Sequence, residues 1–297
     1  MKSIEKIFYW SKAKIDRKKI RNNQTALDEY LHSGREPWSP GYYIHKEKLI
    51  KKILSDKNEL LAFSEKQLEN GFGLRVDERV VEYPWIFSKL NPAPAKLLDA
   101  GSTFNFDFIV DLPLIKKKDL SIFTYYPEGK NFAKNRISYL YGDLREMPFR
   151  DKWFDEIVCQ STIEHIDMDN SIYGYETGSD KITGQPSYEY LKAIKELIRI
   201  LKPGGKLLLT FPFGKFEQHG FFQQFNSEML EQIILVMNKH GKAETDFFKY
   251  EKEGWKKSKK EDVANSFSYN PHTGLGKSDD GAAHCRAVCC IEFINEK

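Results

Sequence analysis

Residues that can bind a polar ligand or move a proton follow several of the short hydrophobic runs in this sequence. Two runs end in a carboxylate next to a glycine, as Asp99-Ala100-Gly101 and as Gly142-Asp143. Glycine lets a backbone approach a ligand closely, and a carboxylate accepts hydrogen bonds from amino or hydroxyl groups. His165 and His219 follow two later runs. Because an imidazole titrates near neutral pH, either histidine is a candidate general base.

Along the chain, hydrophobic segments typical of strands alternate with segments whose apolar residues have the 3.6-residue spacing of a helix. They predict strands at residues 96–100, 120–126, 137–141, 155–160, 206–211, 243–250 and 283–293. An apolar stripe over 191–201 predicts a helix that stops before Pro203, and Asn226 is placed to cap another helix through Met237. The fold class is therefore α/β, a doubly wound, mostly parallel seven-stranded sheet with helices on both faces. Ligands of such sheets bind at the carboxyl ends of the strands.

The region before residue 96 predicts an N-terminal helical extension. A helix is expected from His45 to about Glu69, ended by Asn70-Gly71, whereas Pro37, Pro40 and Gly41 interrupt helical continuity before it. Basic and apolar residues in Met1–Arg21 indicate an amphipathic helix. That helix would pack on the protein or on a partner copy in a homo-oligomer, or would contact a membrane surface. We find no signal-peptide pattern and no transmembrane run, and we expect a cytoplasmic protein.

Five short segments follow one another between residues 96 and 214. They are Asp99-Ala100-Gly101, Gly142-Asp143, Phe154-Asp155, Glu164-His165 and Leu201-Lys202-Pro203-Gly204-Gly205. Together they resemble class I S-adenosylmethionine-dependent methyltransferases, particularly those of small molecules and of polysaccharide pathways. The resemblance implies a Rossmann-like methyltransferase domain at 96–297 behind an extension and cap at 1–95. It also implies S-adenosylmethionine as cofactor and S-adenosylhomocysteine as product.

The same resemblance assigns cofactor-binding roles to individual residues. These are Asp99, Gly101, Ser102, Glu128, Asp143, Leu144, Gln160 and Ser161. Gly101 would lie against the methionine moiety, with Asp99 ordering either the loop or a bridging water. Glu128 would accept from the ribose hydroxyls, Asp143 would accept from the adenine amino group, and Leu144 would donate its backbone N–H. Gln160 and Ser161 would border the sulfonium group of the cofactor.

The loop after the first strand departs from the family pattern. The usual Gly-x-Gly-x-Gly is replaced by Gly101-Ser102-Thr103-Phe104-Asn105, so only the first glycine is kept. Asn105 tolerates left-handed dihedral angles and could replace the third glycine, while Phe104 could crowd the cofactor. This departure keeps open a non-catalytic methyltransferase-like binding or scaffold protein.

The acceptor side is less well defined. His165 and His219 are the candidate bases, although Glu164-His165 could equally serve the structure. A glycine- and tyrosine-containing insertion at 167–186 indicates a lid, or else a plain surface loop. The segment 77–85, just before the first strand, is expected to help to build the acceptor pocket, although its Tyr83 and Trp85 could equally belong to the core. Together with residues 101–106, this segment resembles methyltransferases of surface-polysaccharide pathways.

The composition of the chain and the motifs that it lacks exclude several classes of substrate and enzyme. The net charge of +3 argues against a nucleic-acid substrate. The Gly-x-Gly-x-x-Gly of dinucleotide-dependent dehydrogenases is missing, which excludes that class. We expect a small acceptor, a hydroxyl of a sugar or sugar-containing metabolite. Methylation of a macromolecule is the alternative, but the Asn/Asp-Pro-Pro-Tyr motif of DNA amino-methyltransferases is missing after the fourth strand.

The four cysteines are expected to be buried free thiols. They are Cys159, Cys285, Cys289 and Cys290. No cysteine pair or cysteine–histidine pair has the spacing typical of a zinc site. The sequence therefore predicts no metal.

Overall fold

The structure is a computed structural model that describes residues 24–65, 68–171 and 184–297. The amphipathic helix expected within Met1–Arg21 lies outside the described residues, as do residues 172–183 of the expected lid. Among the described residues, no helix combines the length and the apolar character needed to cross a bilayer.

A mixed sheet of eight strands forms the centre of the protein. The strands of the chain are β1 (Lys96–Ala100), β2 (Asp119–Thr124), β3 (Ser138–Tyr141), β4 (Phe154–Gln160), β5 (Leu201–Pro212), β6 (Glu217–Gln218), β7 (Gln223–Gln224), β8 (Gly241–Glu251), β9 (Gly254–Ser258) and β10 (Ala287–Asn295). The order in the main sheet is β3-β2-β1-β4-β5-β10-β8-β9, and β6 pairs only with β7. Strands β1 to β5 are parallel, whereas β10, β8 and β9 pair antiparallel. The expected α/β fold with a mostly parallel sheet is confirmed.

The sheet has one strand more than the seven expected, because β9 adds to the edge at β8. Glu251 pairs with Gly254 across a tight hairpin, and Trp255 donates its backbone N–H to Phe72 O at 2.8 Å. The strand reads Gly-Trp-Lys-Lys-Ser. Lysines on an edge strand discourage pairing with other chains. They also remove the hydrophobic alternation by which a strand is found in a sequence.

Helices flank this sheet and precede it. They are α1 (Gln24–His32), α2 (Pro40–Ser55), α3 (Lys57–Glu65), α4 (Arg79–Lys89), α5 (Asp107–Val110), α6 (Tyr190–Ile200), α7 (Ser227–Met237) and α8 (Lys260–Val263). Short 3-10 turns lie at Ile115–Lys117, Ala133–Asn135 and Ile163–His165. The helix expected before Pro203 is confirmed as α6, and the cap is confirmed because Asn226 Oδ1 accepts from Met229 N at 3.0 Å.

The single helix expected from His45 to about Glu69 is wrong. The helix begins at Pro40 instead. Proline is tolerated at the first helical position because the N–H that it lacks would have no hydrogen-bond partner within the helix. It is broken at Asp56, whose backbone is extended. Asp56 Oδ1 accepts from Asn58 N at 2.8 Å and Glu59 N at 3.1 Å, which caps a second helix.

Two hydrophobic clusters cover the two faces of the sheet. Successive residues of a strand point to opposite faces of the sheet. Leu98 and Ile157 therefore belong to the first cluster, and their neighbours Leu97 and Val158 belong to the second. The first cluster includes the buried face of α6 and α7. The second includes the buried residues of α4. A helix from the expected N-terminal extension thus packs in the same core as the sheet, while the division at residue 95 stays a prediction.

Candidate functional site

The loop after β1 is organised by Asp99. This fully buried carboxylate accepts from Thr103 N at 3.2 Å, Thr103 Oγ1 at 3.0 Å and Phe104 N at 2.7 Å. Burial raises the pKa of Asp99 to about 7, although the hydrogen bonds from Phe104 and Thr103 oppose that rise. Asp99 therefore orders the loop, as the sequence suggested.

Gly101 brings the ends of β1 and β4 together. Its φ is +133°, and a Cβ built there would lie 2.0 Å from Thr162 Oγ1. The space beside its Cα is thus filled by Thr162, a residue that follows β4. Ser102 has a φ of +63° and is buried. Glycine is required at position 101 because the loop after β1 approaches the residues after β4 too closely for a side chain.

Two expectations about this loop are corrected by the structure. Phe104 is fully buried, its ring 5.3 Å from that of Phe87 and 6.4 Å from that of Tyr83, so its side chain lies in the core. Ser102, and not Asn105, adopts the left-handed backbone. Asn105 instead uses its side chain.

Asn105 joins the loop after β1 to the loop after β2. Its Nδ2 donates to Glu128 Oε2 at 2.8 Å and to Lys130 O at 2.9 Å, while Tyr139 Oη donates to Asn105 Oδ1 at 2.9 Å. Glu128 is otherwise exposed. It thus stands at the carboxyl end of β2, close to the position expected for a group that accepts from ribose hydroxyls.

Asp143 lies after β3 in a fork with Arg145. Arg145 Nη2 donates to Asp143 Oδ2 at 2.7 Å, and Arg145 Nη1 donates to Glu189 Oε2 at 3.2 Å. Burial raises the pKa of Asp143, but the hydrogen bonds and charge of Arg145 more than offset this, so the net shift is downward. Asp143 Oδ1 also accepts from Arg145 N at 2.8 Å, and Arg145 Nε lies 3.0 Å from both carboxylate oxygens, so Arg145 uses most of the acceptor capacity of this carboxylate. Leu144 beside it is buried in the core.

A buried carboxylate, Glu82 of α4, connects the ends of β4 and β5. Its Oε1 accepts from Ser161 Oγ at 2.5 Å and Thr210 Oγ1 at 2.6 Å. Its Oε2 accepts from Gln160 Nε2 at 3.2 Å and Arg79 Nη1 at 2.6 Å. Glu82 and Arg79 both lie in the segment 77–85, which the sequence predicted to help to build the acceptor pocket, but neither was given a role of its own. The available signal was a charged pair three residues apart in an otherwise apolar helix.

His165 lies in the 3-10 turn after β4, and its side chain is 24% exposed. Its Nδ1 lies 2.7 Å from Phe221 O. A carbonyl oxygen can only accept, so Nδ1 carries the hydrogen and the Nε2 lone pair faces away from that carbonyl. Burial lowers the pKa of His165 to about 4, against the opposing backbone hydrogen bond. The ring is therefore neutral at pH 7.

Glu164 and His219 are more deeply enclosed. Glu164 is 2% exposed, and burial raises its pKa well above the usual range. The His219 ring stacks on Phe222 at 4.5 Å and its side chain is 1% exposed. Its Nε2 lies 3.6 Å from Glu217 Oε2. Of the two candidate bases, only His165 has appreciable access from solvent.

Tyr83 and Trp85 belong to the core. Both are buried, Tyr83 Oη donates to Thr103 O, and Trp85 Nε1 donates to Asp246 Oδ2 at 2.8 Å. Tyr83 thereby supports the loop after β1 from behind.

Residues 125–209 match a family model described as a methyltransferase domain. The matched segment runs from the loop after β2 into β5 and includes Asp143, Gln160 and His165. The expected enzyme class, an S-adenosylmethionine-dependent methyltransferase, is confirmed together with its cofactor. A search of curated proteins returned no match.

The chain is also similar to several solved structures at low sequence identity. The YcgJ protein from Bacillus subtilis is 12% identical, with 72% of this chain and 97% of that chain covered and a TM-score of 0.44. An S-adenosylmethionine-dependent methyltransferase from Methanosarcina mazei is 14% identical, with 72% and 99% covered and a TM-score of 0.42. The N-methyltransferase NodS from Bradyrhizobium japonicum, in complex with S-adenosylhomocysteine, is 13% identical, with 85% and 99% covered and a TM-score of 0.39.

The donor and acceptor groups of this methyltransferase fit a polar cofactor at the carboxyl ends of β1 and β4. Among the described residues, Ser102 Oγ, Gln160 Oε1 and Glu164 Oε2 are buried and have no hydrogen-bond partner. Buried polar atoms normally have partners. A ligand with ammonium and carboxylate groups, such as the methionine moiety, would supply them.

Proposed function

We propose that the chain transfers the methyl group of S-adenosylmethionine to a hydroxyl of a small polar acceptor, a sugar or sugar-containing metabolite. The observation that carries this proposal is the neutral imidazole of His165 after β4. Its Nδ1 is fixed by Phe221 O, so Nε2 is the atom that accepts a proton. An alcohol is the kind of acceptor that has to lose one.

The cofactor is proposed to lie across the ends of β1 to β4. Asp99 orders the loop in which Ser102 and the backbone of Gly101 face the methionine moiety, while Thr162 covers the Cα of Gly101. Glu128 accepts from the ribose hydroxyls. On the far side, Asp143 accepts from the adenine amino group and the backbone N–H of Leu144 donates to the ring. Gln160 and Ser161, held by Glu82, border the sulfonium.

When bound, the cofactor supplies a methyl carbon already activated by a positive sulfur. The protein therefore has to hold the acceptor oxygen about 3 Å from that carbon and in line with the bond to sulfur. Methyl transfer to a hydroxyl releases its proton, and His165 Nε2 would accept that proton. The low pKa of His165 keeps the imidazole neutral at pH 7, but it also makes this imidazole a weaker base than one with the ordinary pKa.

His219 stays a second candidate base. Its ring is enclosed by Phe222, and no more than 1% of its side chain is exposed. An acceptor reaches His165 more easily than His219, and this difference decides the order of the two candidates.

The sugar acceptor is proposed from a resemblance of two segments, and the net charge argues only against a nucleic-acid acceptor. The segments 77–85 and 101–106 resemble those of methyltransferases in surface-polysaccharide pathways. The net charge of +3 gives little attraction for a polyanion such as a nucleic acid.

Calorimetric titration with S-adenosylmethionine and S-adenosylhomocysteine tests the first half of the proposal. We expect micromolar binding of both. Failure to bind either would favour the non-catalytic binding or scaffold protein instead. After binding, turnover is measured against sugars, nucleotide sugars and other hydroxyl acceptors.

The base is tested by His165→Asn and His219→Asn beside the control His240→Asn, which changes an exposed histidine. We expect His165→Asn to lower turnover by about 10²–10⁴-fold with cofactor affinity nearly unchanged. Wild-type turnover in His165→Asn, with a loss in His219→Asn, would move the base to His219.

A further inference from the structure

Three side chains with metal-ligating atoms meet between α4 and β10. Glu78 directly precedes α4, whereas His284 and Cys285 lie just before β10. His284 Nδ1 is 3.2 Å from Glu78 Oε1, and Cys285 Sγ is 3.3 Å from Glu78 Oε2. All three ligand atoms lie within 4.8 Å of one another.

The chemistry and spacing of this set suit a zinc-class ion. Carboxylate oxygen, imidazole nitrogen and thiolate sulfur are the ligands of tetrahedral zinc sites, at about 2.0–2.3 Å from the ion. Ligand atoms at the corners of such a tetrahedron are separated by about 3.3–3.8 Å. The distances that Glu78 makes to His284 and Cys285 are close to this range.

The burial of the three side chains also favours a bound cation. The side chains of Glu78 and Cys285 are 7% and 1% exposed, and that of His284 is 15% exposed, which leaves access for an ion. His284 Nδ1 is buried and has Glu78 Oε1, at 3.2 Å, as its polar neighbour. The guanidinium of Arg79, the next residue along the chain, is a positive charge that opposes a cation here, although it binds Glu82 at 2.6 Å.

We propose that Glu78, His284 and Cys285 bind one divalent transition-metal ion of the zinc class, with a fourth position open to water or a ligand. The site stands one helical turn from Glu82, and therefore next to the network at the ends of β4 and β5. It uses none of the residues assigned to methyl transfer. A carboxylate–imidazole ion pair with a nearby thiol, without any metal, is the competing account.

The test is metal binding by the full chain, purified without a histidine tag and stripped with a chelator. Zn²⁺ is titrated in competition with a chromophoric chelator, and Co²⁺ is followed by absorption. We expect one ion per chain and a thiolate-to-cobalt charge-transfer band with the intense visible bands of tetrahedral cobalt. Neither S-adenosylmethionine nor an acceptor is present, so this result is independent of the proposed methyl transfer.

Cys285→Ser is compared with Cys290→Ser, which removes another buried cysteine outside the cluster. We expect Cys285→Ser to lose the charge-transfer band and at least about tenfold in affinity, a loss already typical of groups that only support metal ligands. Cys290→Ser should keep both. His284→Gln, at a more exposed position, gives a second variant with an intact thiol, and we expect a similar loss of affinity. Absence of a thiolate band in the wild type, or wild-type affinity in Cys285→Ser, would overturn the proposal in favour of the ion pair.

Discussion

Single buried carboxylates do much of the organisation around this site. Asp99 fixes the loop after β1 through two backbone N–H groups and one hydroxyl. Glu82 collects Ser161, Thr210 and Arg79 in the same way at the ends of β4 and β5. Burying a carboxylate is costly unless it is paired or hydrogen-bonded. These networks therefore hold the strand ends in one arrangement.

At the same scale, Asp143 gives a prediction about the cofactor. If Asp143 accepts from the adenine amino group, Asp143→Ala removes a hydrogen bond to a charged acceptor and weakens cofactor binding by about 1–3 kcal/mol. Titration calorimetry measures the change. Arg145→Met is the control, because it breaks the fork while keeping the carboxylate. Unchanged affinity in Asp143→Ala would remove this residue from the site.

His165 gives a prediction about pH. Its pKa is about 4 in the folded chain, whereas the ordinary value is 6.5. Between pH 6.5 and pH 4 the unfolded chain binds a proton that the folded chain does not, so this group lowers stability as the pH falls through that window. We expect His165→Asn to lose less free energy of unfolding than the wild type from pH 7 to pH 5, as measured by urea denaturation. Equal losses would show that His165 titrates normally.

The same lowered pKa applies to catalysis. If His165 is the base, the acid limb of the kcat/KM profile of the free enzyme should lie nearer pH 4 than pH 6.5, provided that the protein remains folded. A limb at pH 6.5 would assign the base to a group with an ordinary imidazole pKa.

At the scale of elements, the close approach of the β1 loop to the β4 loop decides the shape of the site. Gly101 packs its Cα against Thr162 with a positive φ, and Tyr83 of α4 supports the loop through Thr103 O. Gln160 and Thr210 face each other in the parallel register of β4 and β5. The positions of the polar groups at these strand ends therefore depend more on how the strands and α4 pack than on the conformation of the loops.

Gly101→Ala tests this packing, with Gly204→Ala as a matched control. Both glycines have positive φ, but a Cβ at Gly204 meets nothing within 4 Å, whereas one at Gly101 meets Thr162 at 2.0 Å. Gly204→Ala should cost about 1 kcal/mol of stability for backbone strain alone. Gly101→Ala should cost about 1–3 kcal/mol more, because a φ of +133° strains an alanine more than one of +75° and because the Cβ overpacks Thr162. Equal losses in urea denaturation would show that neither the extra strain nor the contact with Thr162 costs stability.

At the scale of the whole molecule, helices from the first 95 residues complete the core of the sheet. Val80 and Ile86 of α4 share a cluster with Leu97, Val158 and Leu208. Trp85 of α4 and Trp255 of β9 belong to the same cluster. A sheet without α4 would expose this apolar face to water, which the hydrophobic effect opposes.

We therefore expect the described parts of the chain to unfold together. Urea denaturation followed by tryptophan fluorescence and by far-ultraviolet circular dichroism should give the same midpoint, as a two-state transition does. Two separate midpoints would indicate that the N-terminal helices form an independent unit.

Several features were open to prediction because they depend on local sequence. Strand β1 was placed at its observed residues, and the cap at Asn226 and the end of α6 before Pro203 were found from residue types and spacing. The Asp99 loop was expected to be ordered by that carboxylate. Period and backbone stereochemistry act over a few residues, so a sequence reports them directly.

Other features were decided only by the tertiary structure. Phe104 turns into the core between Tyr83 and Phe87, Glu82 meets Thr210 across 128 positions, and Glu78 meets Cys285 across 207. The lysine-rich β9 also becomes a strand only by pairing with β8. Such contacts join residues far apart in the chain, and their partners follow from the packing of whole elements. The sequence by itself therefore determined the mostly parallel sheet apart from β9, the class of enzyme and its cofactor, while the arrangement of buried charges required the folded chain.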